Sequence, residues 1–393
     1  MASTPPRVQI PAPGRILVRG VNWLGDAVMT GPALLRLRER FPAAHISLLT
    51  SEKLGDLWRN HPAVDSILLF SQDESVWTIG RQLRRESFNL GLVLPNSPRS
   101  ALELWLGGVP CRVGYGAGWR HWLLTHAIPP RPGYVPMRKR SRAEIGRLAR
   151  AADRGTPPPA RVSEIPAAAH HLHHYLHLVA ALGANPAPLS PKLFLTPEEV
   201  GAAARRLGFA SDPAASPPWF GLNAGAEYGP AKRWPPERFV AAALEITRRT
   251  PCRWLVLGGV ADVDLAGRIT AELTASASSA ASGAPALPFV LNLAGKTTLR
   301  ELCAALQACR VLITNDTGPM HLAAAVGTPV VVPFGSTSPD LTGPGLPGDP
   351  RHRLLRGSAP CSPCFLRECP IDLRCLTTIS VEEVANGVSP GKQ

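Results

Sequence analysis

A carboxylate follows the first predicted strand of the chain. Asp26 lies in the segment NWLGDA, residues 22–27, directly after an apolar run at residues 15–19. This position is the carboxyl end of a strand, where open α/β sheets bind ligands, and Gly25 permits a tight turn there. A carboxylate in that place can take the proton from an attacking hydroxyl group. Aspartate is also a favoured helix N-cap, and on this segment alone capping is the stronger interpretation.

A Gly-rich turn with two basic residues follows a later predicted strand. Residues 224–235 read AGAEYGPAKRWP and place Lys232 and Arg233 before a predicted helix. Such a turn provides hydrogen-bond donors for a diphosphate leaving group. Basic residues beside Trp and Pro also occur in ordinary surface packing, and the segment does not decide between the two. It has neither the P-loop nor the dinucleotide glycine pattern, which counts against ATP hydrolysis and NAD binding.

A third polar segment, TNDTGPMH at residues 314–321, follows another strand and opens a predicted helix. The backbone amides of Thr317 and Gly318 at that helix start would form an anion site. Asp316 would contact sugar hydroxyls or orient its polar neighbours. The same residues also form ordinary capped turns, so this segment is only moderately specific by itself.

The hydrophobic pattern predicts the elements that hold these segments. Short apolar strands alternate with amphipathic helices in two blocks, which is typical of parallel α/β layers. In the first block we expect strands at residues 15–19, 45–50, 66–70 and 90–95, with a helix at 27–40. In the second block we expect strands at 219–223, 254–257, 290–293, 311–314 and 330–334, with helices at 237–248, 263–273, 299–308 and 321–326.

The length of 393 residues favours two domains. The stretch GANPAPLSP, residues 183–191, interrupts both periodicities and reads as a linker. We therefore expect a disordered tail at residues 1–14, one domain at 15–185 and a second at 186–393 that ends in a Cys-rich segment. A Ser/Ala-rich stretch at 274–286 reads as a surface insertion.

The net charge of +13 is unevenly distributed along the sequence. Residues 1–185 hold 23 Lys and Arg against 12 Asp and Glu. Nucleic acid, anionic lipid headgroups and a phosphorylated glycolipid all suit such a field, and charge alone does not choose among them. No apolar stretch approaches the length of a membrane span, and no secretion signal is evident, so we expect a cytoplasmic protein. The densest basic cluster consists of Arg131, Arg138, Lys139, Arg140, Arg142, Arg147 and Arg150.

Several features could indicate a metal site or, for one glycine pattern, a nucleotide motif, and in each case we favour another interpretation. Asp262 begins a D-x-D sequence at a helix start, where a contact with a sugar or ribose is favoured over a metal ion. Gly114, Gly116 and Gly118 precede Arg120 in what reads as a flexible acceptor-side loop. The late cysteines could hold zinc, although unligated thiols are favoured; they are Cys361, Cys364, Cys369 and Cys375. A solvated helix face is favoured for the histidines His170, His171, His173, His174 and His177.

Taken together, six segments carry a family resemblance. They are NWLGDAVMTGPAL, VLPNSPRSA, GAEYGPAKRWP, NLAGKTTL, TNDTGPMHLAAA and CSPCFLRECP. In this order and spacing the chain resembles the ADP-heptose:lipopolysaccharide heptosyltransferases, glycosyltransferase family 9, from about residue 15 to about residue 381. The sequences of these motifs are most similar to those of the heptosyltransferase II type.

The resemblance implies the GT-B architecture, in which two Rossmann-like domains face a central cleft. It implies inverting transfer of heptose from ADP-L-glycero-D-manno-heptose to the anionic heptosyl-Kdo2-lipid A inner core of lipopolysaccharide, without a cofactor or metal. Asp26 matches the general base of the family, which reverses the preference for capping, and Lys232 matches its diphosphate-binding lysine. The first domain would bind the acceptor and the second the donor.

The resemblance also assigns the remaining site residues to the donor side or to the acceptor side. On the donor side we expect Gly225, Ala226, Glu227, Arg233, Asp262, Asp316, Thr317, Gly318 and His321. On the acceptor side we expect Asn22, Trp23, Asn96, Arg99 and Arg120. Because the acceptor is lipid-anchored, we expect peripheral contact with the inner face of the inner membrane. The alternatives are heptosyltransferase I or another nucleotide-sugar enzyme of the family and, more remotely, a nucleic-acid-binding protein.

Overall fold

The structure, a computed structural model, describes residues 7–9, 12–116, 118–155, 165–210, 216–278 and 289–388. The chain divides into two units. The first comprises Met1–Val135 and Ala168–Phe194, and the second comprises Pro136–Ala167 and Leu195–Gln393. Residues 136–167, which the sequence analysis assigned to the first domain, therefore belong to the second unit.

The strands are, in chain order, β1 (Arg15–Arg19), β2 (His45–Ser51), β3 (Ser66–Phe70), β4 (Leu90–Val93), β5 (Cys111–Tyr115), β6 (His126–Ile128), β7 (Trp219–Asn223), β8 (Arg253–Val256), β9 (Val290–Asn292), β10 (Cys309–Thr314), β11 (Val330–Phe334) and β12 (Arg353–Arg356). The helices are α1 (Leu24–Arg40), α2 (Glu52–Gly55), α3 (Val76–Arg84), α4 (Pro98–Leu106), α5 (Arg142–Asp153), α6 (Leu172–Ala181), α7 (Pro197–Leu207), α8 (Pro236–Arg249), α9 (Val263–Ser278), α10 (Leu299–Ala308), α11 (Gly318–Ala325), α12 (Pro339–Thr342), α13 (Arg374–Thr377) and α14 (Val381–Gly387). Short 3-10 helices cover Asp56–Trp58, Gly118–Leu123, Ala167–Ala169, Pro230–Lys232 and Val260–Asp262.

The first unit is built on a parallel sheet with the strand order β3-β2-β1-β4-β5-β6. Its central strands are continuous apolar runs because both faces of a parallel sheet are covered by helices. Helices α1 and α6 pack together, and α3 packs against α4. The strand order reverses between β1 and β4, so the loops after these two strands diverge and leave a crevice at the carboxyl edge of the sheet.

The second unit repeats this arrangement with the order β12-β11-β10-β7-β8-β9, and all its strands are parallel. Its crevice falls between β7 and β10. The core of the unit contains the fully buried Trp234, Trp254 and Phe239. Ile145 of α5 belongs to the same core, which fixes that helix in the second unit.

The predicted α/β class with two parallel sheets is confirmed. The bounds of β1, β3, β7 and β11 are those predicted, whereas β5, β6 and β12 were not predicted. Helix α9 continues to Ser278, and the rest of the predicted insertion, residues 279–286, lies outside the described residues. The predicted tail is described only at residues 7–9 and 12–14, where the amide of Val8 donates to the carbonyl of Ala181 (2.8 Å).

The positive charge is shared by the two units rather than concentrated in the first. The first unit carries 16 Lys and Arg against 9 Asp and Glu, and the second carries 26 against 20. The predicted asymmetry disappears because residues 136–167, with most of the densest basic cluster, belong to the second unit. Among the described residues, no helix has both the length and the apolar character required to cross a membrane.

Candidate active site

A cavity of about 240 Å³ opens in the first unit at the carboxyl ends of β1 and β4. It therefore occupies the switch point of the sheet, where this fold binds ligands. Its walls come from the loop after β1, the loop after β4 and the start of α6. The lining residues are Val21, Asn22, Trp23, Asp26, Leu94, Pro95, Asn96, Ser97, His171, His174 and Tyr175.

Asp26 lies in the first turn of α1, and the N-cap of this helix is Trp23. The capping interpretation is therefore wrong: the helix begins at Leu24, before the predicted start at residue 27. The carboxylate faces the cavity with about a third of its surface exposed (32%). A negative charge in the first turn is stabilised by the helix dipole, which favours the ionised carboxylate.

Two side chains lie close to Asp26: His171, the N-cap of α6, and Tyr175, within that helix. The Nε2 atom of His171 lies 3.9 Å from Oδ1 of Asp26 and 3.0 Å from the hydroxyl of Tyr175. Burial lowers the pKa of His171 and raises the pKa of Tyr175, with the charge of Asp26 acting against the first shift and adding to the second. Both shifts favour neutral side chains beside the carboxylate.

The prediction of a solvated histidine face on α6 is wrong. His170, His174 and His177 are at most 6% exposed. The His174 ring stacks on Tyr115, with ring centroids 3.9 Å apart, and burial lowers its pKa to about 3. The physical reason is that α6 packs against α1 and the sheet inside the unit, so that its surface is largely covered by protein.

The structure brings three of the five predicted acceptor residues together in this cavity. Asn22, Trp23 and Asn96 line it, and Trp23 is half exposed (48%). Arg99 instead pairs with the buried Glu103 (3.1 Å). Arg120 is fully buried and donates to the carbonyl of Pro95 (2.7 Å), so it supports the cavity wall from behind rather than facing the cavity.

An ion pair marks the crevice of the second unit. The ammonium of Lys232, after β7, lies 2.6 Å from Oδ2 of Asp316, after β10. Both side chains are largely buried, and Thr337 donates a hydrogen bond to the same Oδ2 atom. Because the two strands are neighbours, their carboxyl ends bring together residues 84 positions apart in sequence. The motifs alone did not predict this pairing, nor the part played by Thr337.

The turn that carries Lys232 is supported by the Cys-rich segment, residues 361–375. The amide of Ala231 donates to the carbonyl of Arg367 (2.9 Å), and the hydroxyl of Tyr228 donates to the carbonyl of Phe365 (2.8 Å). The Lys232 ammonium lies 4.9 Å from the centre of the Tyr228 ring, a cation–π contact. The Cys-rich segment therefore positions the lysine.

Helix α11 points its N-terminus at the same crevice. Thr317 is its N-cap, and Gly318 is its first residue. The loop before it is fixed by Asn315, which accepts from the amide of Trp234 (2.9 Å) and donates to the carbonyl of Ala224 (2.7 Å). The first-turn amides and the helix dipole form a site suited to an anion.

The other predicted donor residues surround this crevice at different distances from its centre. The Asp262 carboxylate accepts from the amide of Gly259 (3.1 Å) and lies against Gly225, where a Cβ atom would come within 2.5 Å of it. Arg233 donates to the carbonyl of Ala226 (3.2 Å). Of two further predicted residues, Glu227 is exposed and His321 is buried.

The late cysteines show no arrangement for a metal ion. Cys361, Cys364 and Cys375 are buried, and burial raises the pKa of Cys375 to about 12. In the described part of the chain, no group of three or more His, Cys, Asp or Glu side chains is placed to hold a metal ion. Cys369, the D-x-D sequence at Asp262 and the histidines of α6 all lie in this described part.

Two Rossmann-type units provide what a nucleotide-sugar glycosyltransferase requires: a carboxylate at one switch point, and a lysine with a helix N-terminus at the other. The chain belongs to glycosyltransferase family 9 (heptosyltransferase), whose model matches residues 76–374. It is 28% identical to lipopolysaccharide heptosyltransferase 2 of Escherichia coli over 338 residues, 84% of this chain and 85% of that protein. It is 27% identical to lipooligosaccharide heptosyltransferase 2 of Haemophilus influenzae, over 87% and 89% of the two chains.

A solved structure is similar over nearly the whole chain. The structure of Escherichia coli ADP-heptose lps heptosyltransferase II matches with a TM-score of 0.70 and 25% identity, covering 95% of this chain and 97% of that one. The family resemblance read from the sequence is thereby confirmed, and so is the prediction of a glycosyltransferase.

Proposed function

We propose that this protein is heptosyltransferase II, which transfers heptose from ADP-L-glycero-D-manno-heptose to the heptosyl-Kdo2-lipid A inner core of lipopolysaccharide. The observation that carries this proposal is the match, over most of both chains, to relatives named lipopolysaccharide or lipooligosaccharide heptosyltransferase 2. The two switch-point sites contain the groups that the reaction requires, which are a carboxylate in one unit and anion-binding groups in the other.

On the acceptor side, Asp26 is the proposed general base. Its carboxylate takes the proton of the acceptor hydroxyl while the hydroxyl oxygen attacks the anomeric carbon of the heptose. The ionised form that this step needs is favoured by the first turn of α1. Burial favours the neutral forms of its two neighbours, His171 and Tyr175. Asn22, Trp23 and Asn96 bind the sugar acceptor in the cavity.

On the donor side, Lys232 and the N-terminus of α11 bind the diphosphate. As the bond from the anomeric carbon to the phosphate oxygen breaks, the electron pair leaves with ADP, and the added negative charge is stabilised by these groups. Asp316 holds the ammonium of Lys232 in place, and Thr337 holds Asp316. Attack from the face opposite to the leaving ADP inverts the anomeric configuration.

The enzyme works in the cytoplasm, at the inner face of the inner membrane, where its lipid-anchored acceptor is presented. Both units carry a net positive charge, which suits an anionic glycolipid. The match to relatives named heptosyltransferase 2 favours this partner over a nucleic acid. Weak peripheral association of this kind is expected to decrease as the salt concentration rises.

Acceptor choice tests the proposal. Purified enzyme is given ADP-heptose with either heptosyl-Kdo2-lipid A or Kdo2-lipid A, and release of ADP and the mass of the product are measured. We expect product from the heptosylated acceptor. Product from Kdo2-lipid A alone would reassign the chain to heptosyltransferase I. Filter binding to RNA at two salt concentrations, with no turnover on either acceptor, would instead indicate a nucleic-acid-binding protein.

A further inference from the structure

Exposed tryptophans are concentrated on three neighbouring elements of the first unit. Trp77, Trp105, Trp119 and Trp122 are between 49% and 77% exposed. They lie on α3, on α4 and on the 3-10 helix Gly118–Leu123. Four of the nine tryptophans of the chain are therefore in contact with solvent on these three elements, whereas Trp58, Trp219, Trp234 and Trp254 are buried. We call these four exposed residues, with Arg81 and Arg85, the tryptophan surface.

The three elements pack side by side. Helices α3 and α4 run parallel: Arg99 donates to the carbonyl of Glu74 near their starts, and Arg84 donates to the carbonyl of Leu106 near their ends (2.7 Å). Gly80 permits this close packing, since a Cβ atom there would lie 2.7 Å from Cβ of Leu106. This register places Trp77 beside the first turns of α4.

The 3-10 helix extends this face beyond α4. It packs against α4, and its Arg120 donates to the carbonyl of Pro95 just before that helix (2.7 Å). The outward side chains of the 3-10 helix include Trp119 and Trp122. The tryptophans of the three elements thus share one side of the sheet.

The charge of this face is positive. Arg81 and Arg85 are exposed on α3 and at its end, and no acidic residue occurs in α3 or in the 3-10 helix. The acidic residue of α4, Glu103, is fully buried and paired with Arg19 (2.7 Å). Asp73 and Glu74 precede α3, and Arg99 donates to the carbonyl of Glu74. An anionic surface would therefore meet the exposed arginines of the helices.

We propose that the tryptophan surface is the membrane-docking face of the enzyme and that it binds anionic phospholipid headgroups. Tryptophan rings are enriched at the boundary between acyl chains and headgroups, and arginines near that boundary attract anionic lipid. A groove that stacks the bases of single-stranded nucleic acid would instead interleave aromatic residues with a continuous basic track. Here four exposed tryptophan rings accompany the exposed arginines of α3 and α4.

The position of this surface agrees with a lipid-anchored acceptor, a step that rests on the proposed function. Ser97 is the N-cap of α4, directly before Pro98, and it lines the Asp26 cavity. Pro95, which the 3-10 helix holds through Arg120, lines it as well. Docking through the tryptophan surface would thus bring the acceptor cavity close to the lipid headgroups from which the acceptor sugar projects.

Vesicle binding tests the proposal without any substrate. Cosedimentation and tryptophan emission are measured with vesicles of phosphatidylethanolamine and phosphatidylglycerol, and with neutral phosphatidylcholine vesicles, at low and high salt. With the anionic vesicles we expect binding and a blue shift of the tryptophan emission. We expect this binding to weaken at high salt. Trp119→Ser with Trp122→Ser should weaken binding at least about tenfold. Arg81→Gln with Arg85→Gln should weaken it about 25-fold, about fivefold for each arginine.

The matched control is Val260→Ser with Arg268→Gln, an exposed apolar residue and an exposed arginine of the second unit. This control should bind vesicles like the wild type, and all variants should unfold at the same temperature because the changed side chains are exposed. If both surface variants bind anionic vesicles as well as the control does, or if the wild type binds RNA but not vesicles, the proposal is overturned.

Turnover separates this inference from the proposed function. With an acceptor lacking acyl chains, the surface variants should react at the wild-type rate, whereas with acceptor embedded in vesicles their rate should fall in proportion to binding. Vesicle binding with no turnover on any acceptor would refute the proposed function and leave the docking surface standing. Full turnover on embedded acceptor despite lost vesicle binding would refute the docking role.

Discussion

At the scale of single residues, the two proposed catalytic groups are held in opposite electrostatic settings. Asp26 is partly exposed at a helix start, beside neutral His171 and Tyr175, so that its charge is available to take a proton. Lys232 is largely buried and already neutralised by Asp316. A buried pair of this kind contributes orientation more than stability, because desolvation offsets much of the attraction.

Replacing Asp26 by Asn should remove the base while preserving the shape of the cavity. We expect turnover to fall by about 10² to 10⁴, the usual contribution of a general base, with little change in ADP affinity. Initial rates and ADP titrations measure both. Asp264→Asn is the matched control, since Asp264 lies in the first turn of α9 but is exposed and outside the cavity. Wild-type turnover in Asp26→Asn would show that the base is misassigned.

Sequence reasoning located Asp26, Lys232 and Asp316 because each follows a strand in an informative motif. It missed His171 and Thr337, which are contributed by distant elements and become neighbours only in the folded unit. A signal for His171 was present: Leu172, Leu178 and Ala180 lie on different sides of the helix, and a helix with apolar residues on all sides is typically buried.

At the scale of elements, the strands that could be predicted are those with continuous apolar runs. The edge strands β6 and β12 are short or half exposed, and β5 begins with Cys-Arg and contains Gly114. Gly114 allows a close approach, since a Cβ atom there would lie 3.1 Å from both the Arg120 guanidinium and the carbonyl oxygen of Val93. A close approach of this kind depends on tertiary packing. It produces no periodic pattern of hydrophobic residues from which the strand could be predicted.

The turn that carries Lys232 should be sensitive to a single methyl group. Gly229 has a φ of 148°, and a Cβ atom there would lie 2.5 Å from the carbonyl oxygen of Arg367. Gly229→Ala should push the turn away from the Cys-rich segment and displace Lys232. We expect a fall in kcat/KM of about 10²-fold, the usual result of a displacement near 1 Å. Steady-state kinetics with varied ADP-heptose measure it.

The control for this prediction is Gly267→Ala in α9, where no atom lies within 4 Å of the added Cβ. A helical Gly→Ala change should stabilise the protein by about 0.5–1 kcal/mol and leave turnover unchanged. If Gly229→Ala reacts as fast as Gly267→Ala, the contact between the turn and the Cys-rich segment does not position the lysine.

Helix α6 should make the protein sensitive to acid. Burial lowers the pKa of His174 to about 3, from an ordinary value of 6.5, so below pH 6.5 the unfolded chain binds more protons than the folded one. The free energy of unfolding should therefore fall with decreasing pH, by about 1.4 kcal/mol per pH unit for this histidine, between pH 6.5 and about 3. Urea unfolding at pH 7 and pH 5 measures the loss.

His174→Phe keeps a ring against Tyr115 but removes the titrating group. This variant should lose less stability between pH 7 and pH 5 than the wild type, by up to about 2 kcal/mol. His121→Gln, a change at an exposed histidine, should behave like the wild type. An unchanged loss in His174→Phe would mean that the histidine is protonated in the folded protein at no cost.

At the scale of the whole molecule, the predicted distribution of charge between the domains was wrong, because it followed the order of residues along the chain. Residues 136–167 follow the first block along the chain but contribute Ile145 to the core of the second unit. Composition counted along the sequence therefore overstated the basic character of the first unit. The division of labour between the units rests instead on their switch points, which the strand order defines independently of charge.

This division predicts that ADP stabilises the protein through the second unit. At about 100 times its dissociation constant, ADP should add about 2.7 kcal/mol to the free energy of unfolding. For a unit of this size that raises the unfolding temperature by about 5–10 °C. Asp26→Asn should keep this shift, since Asp26 lies in the other unit, and Lys232→Met should lose most of it. Calorimetry compares each variant with and without ADP against its own baseline. An unchanged shift in Lys232→Met would remove the lysine from the diphosphate site, whereas loss of the shift in Asp26→Asn would mean that the two sites do not bind independently.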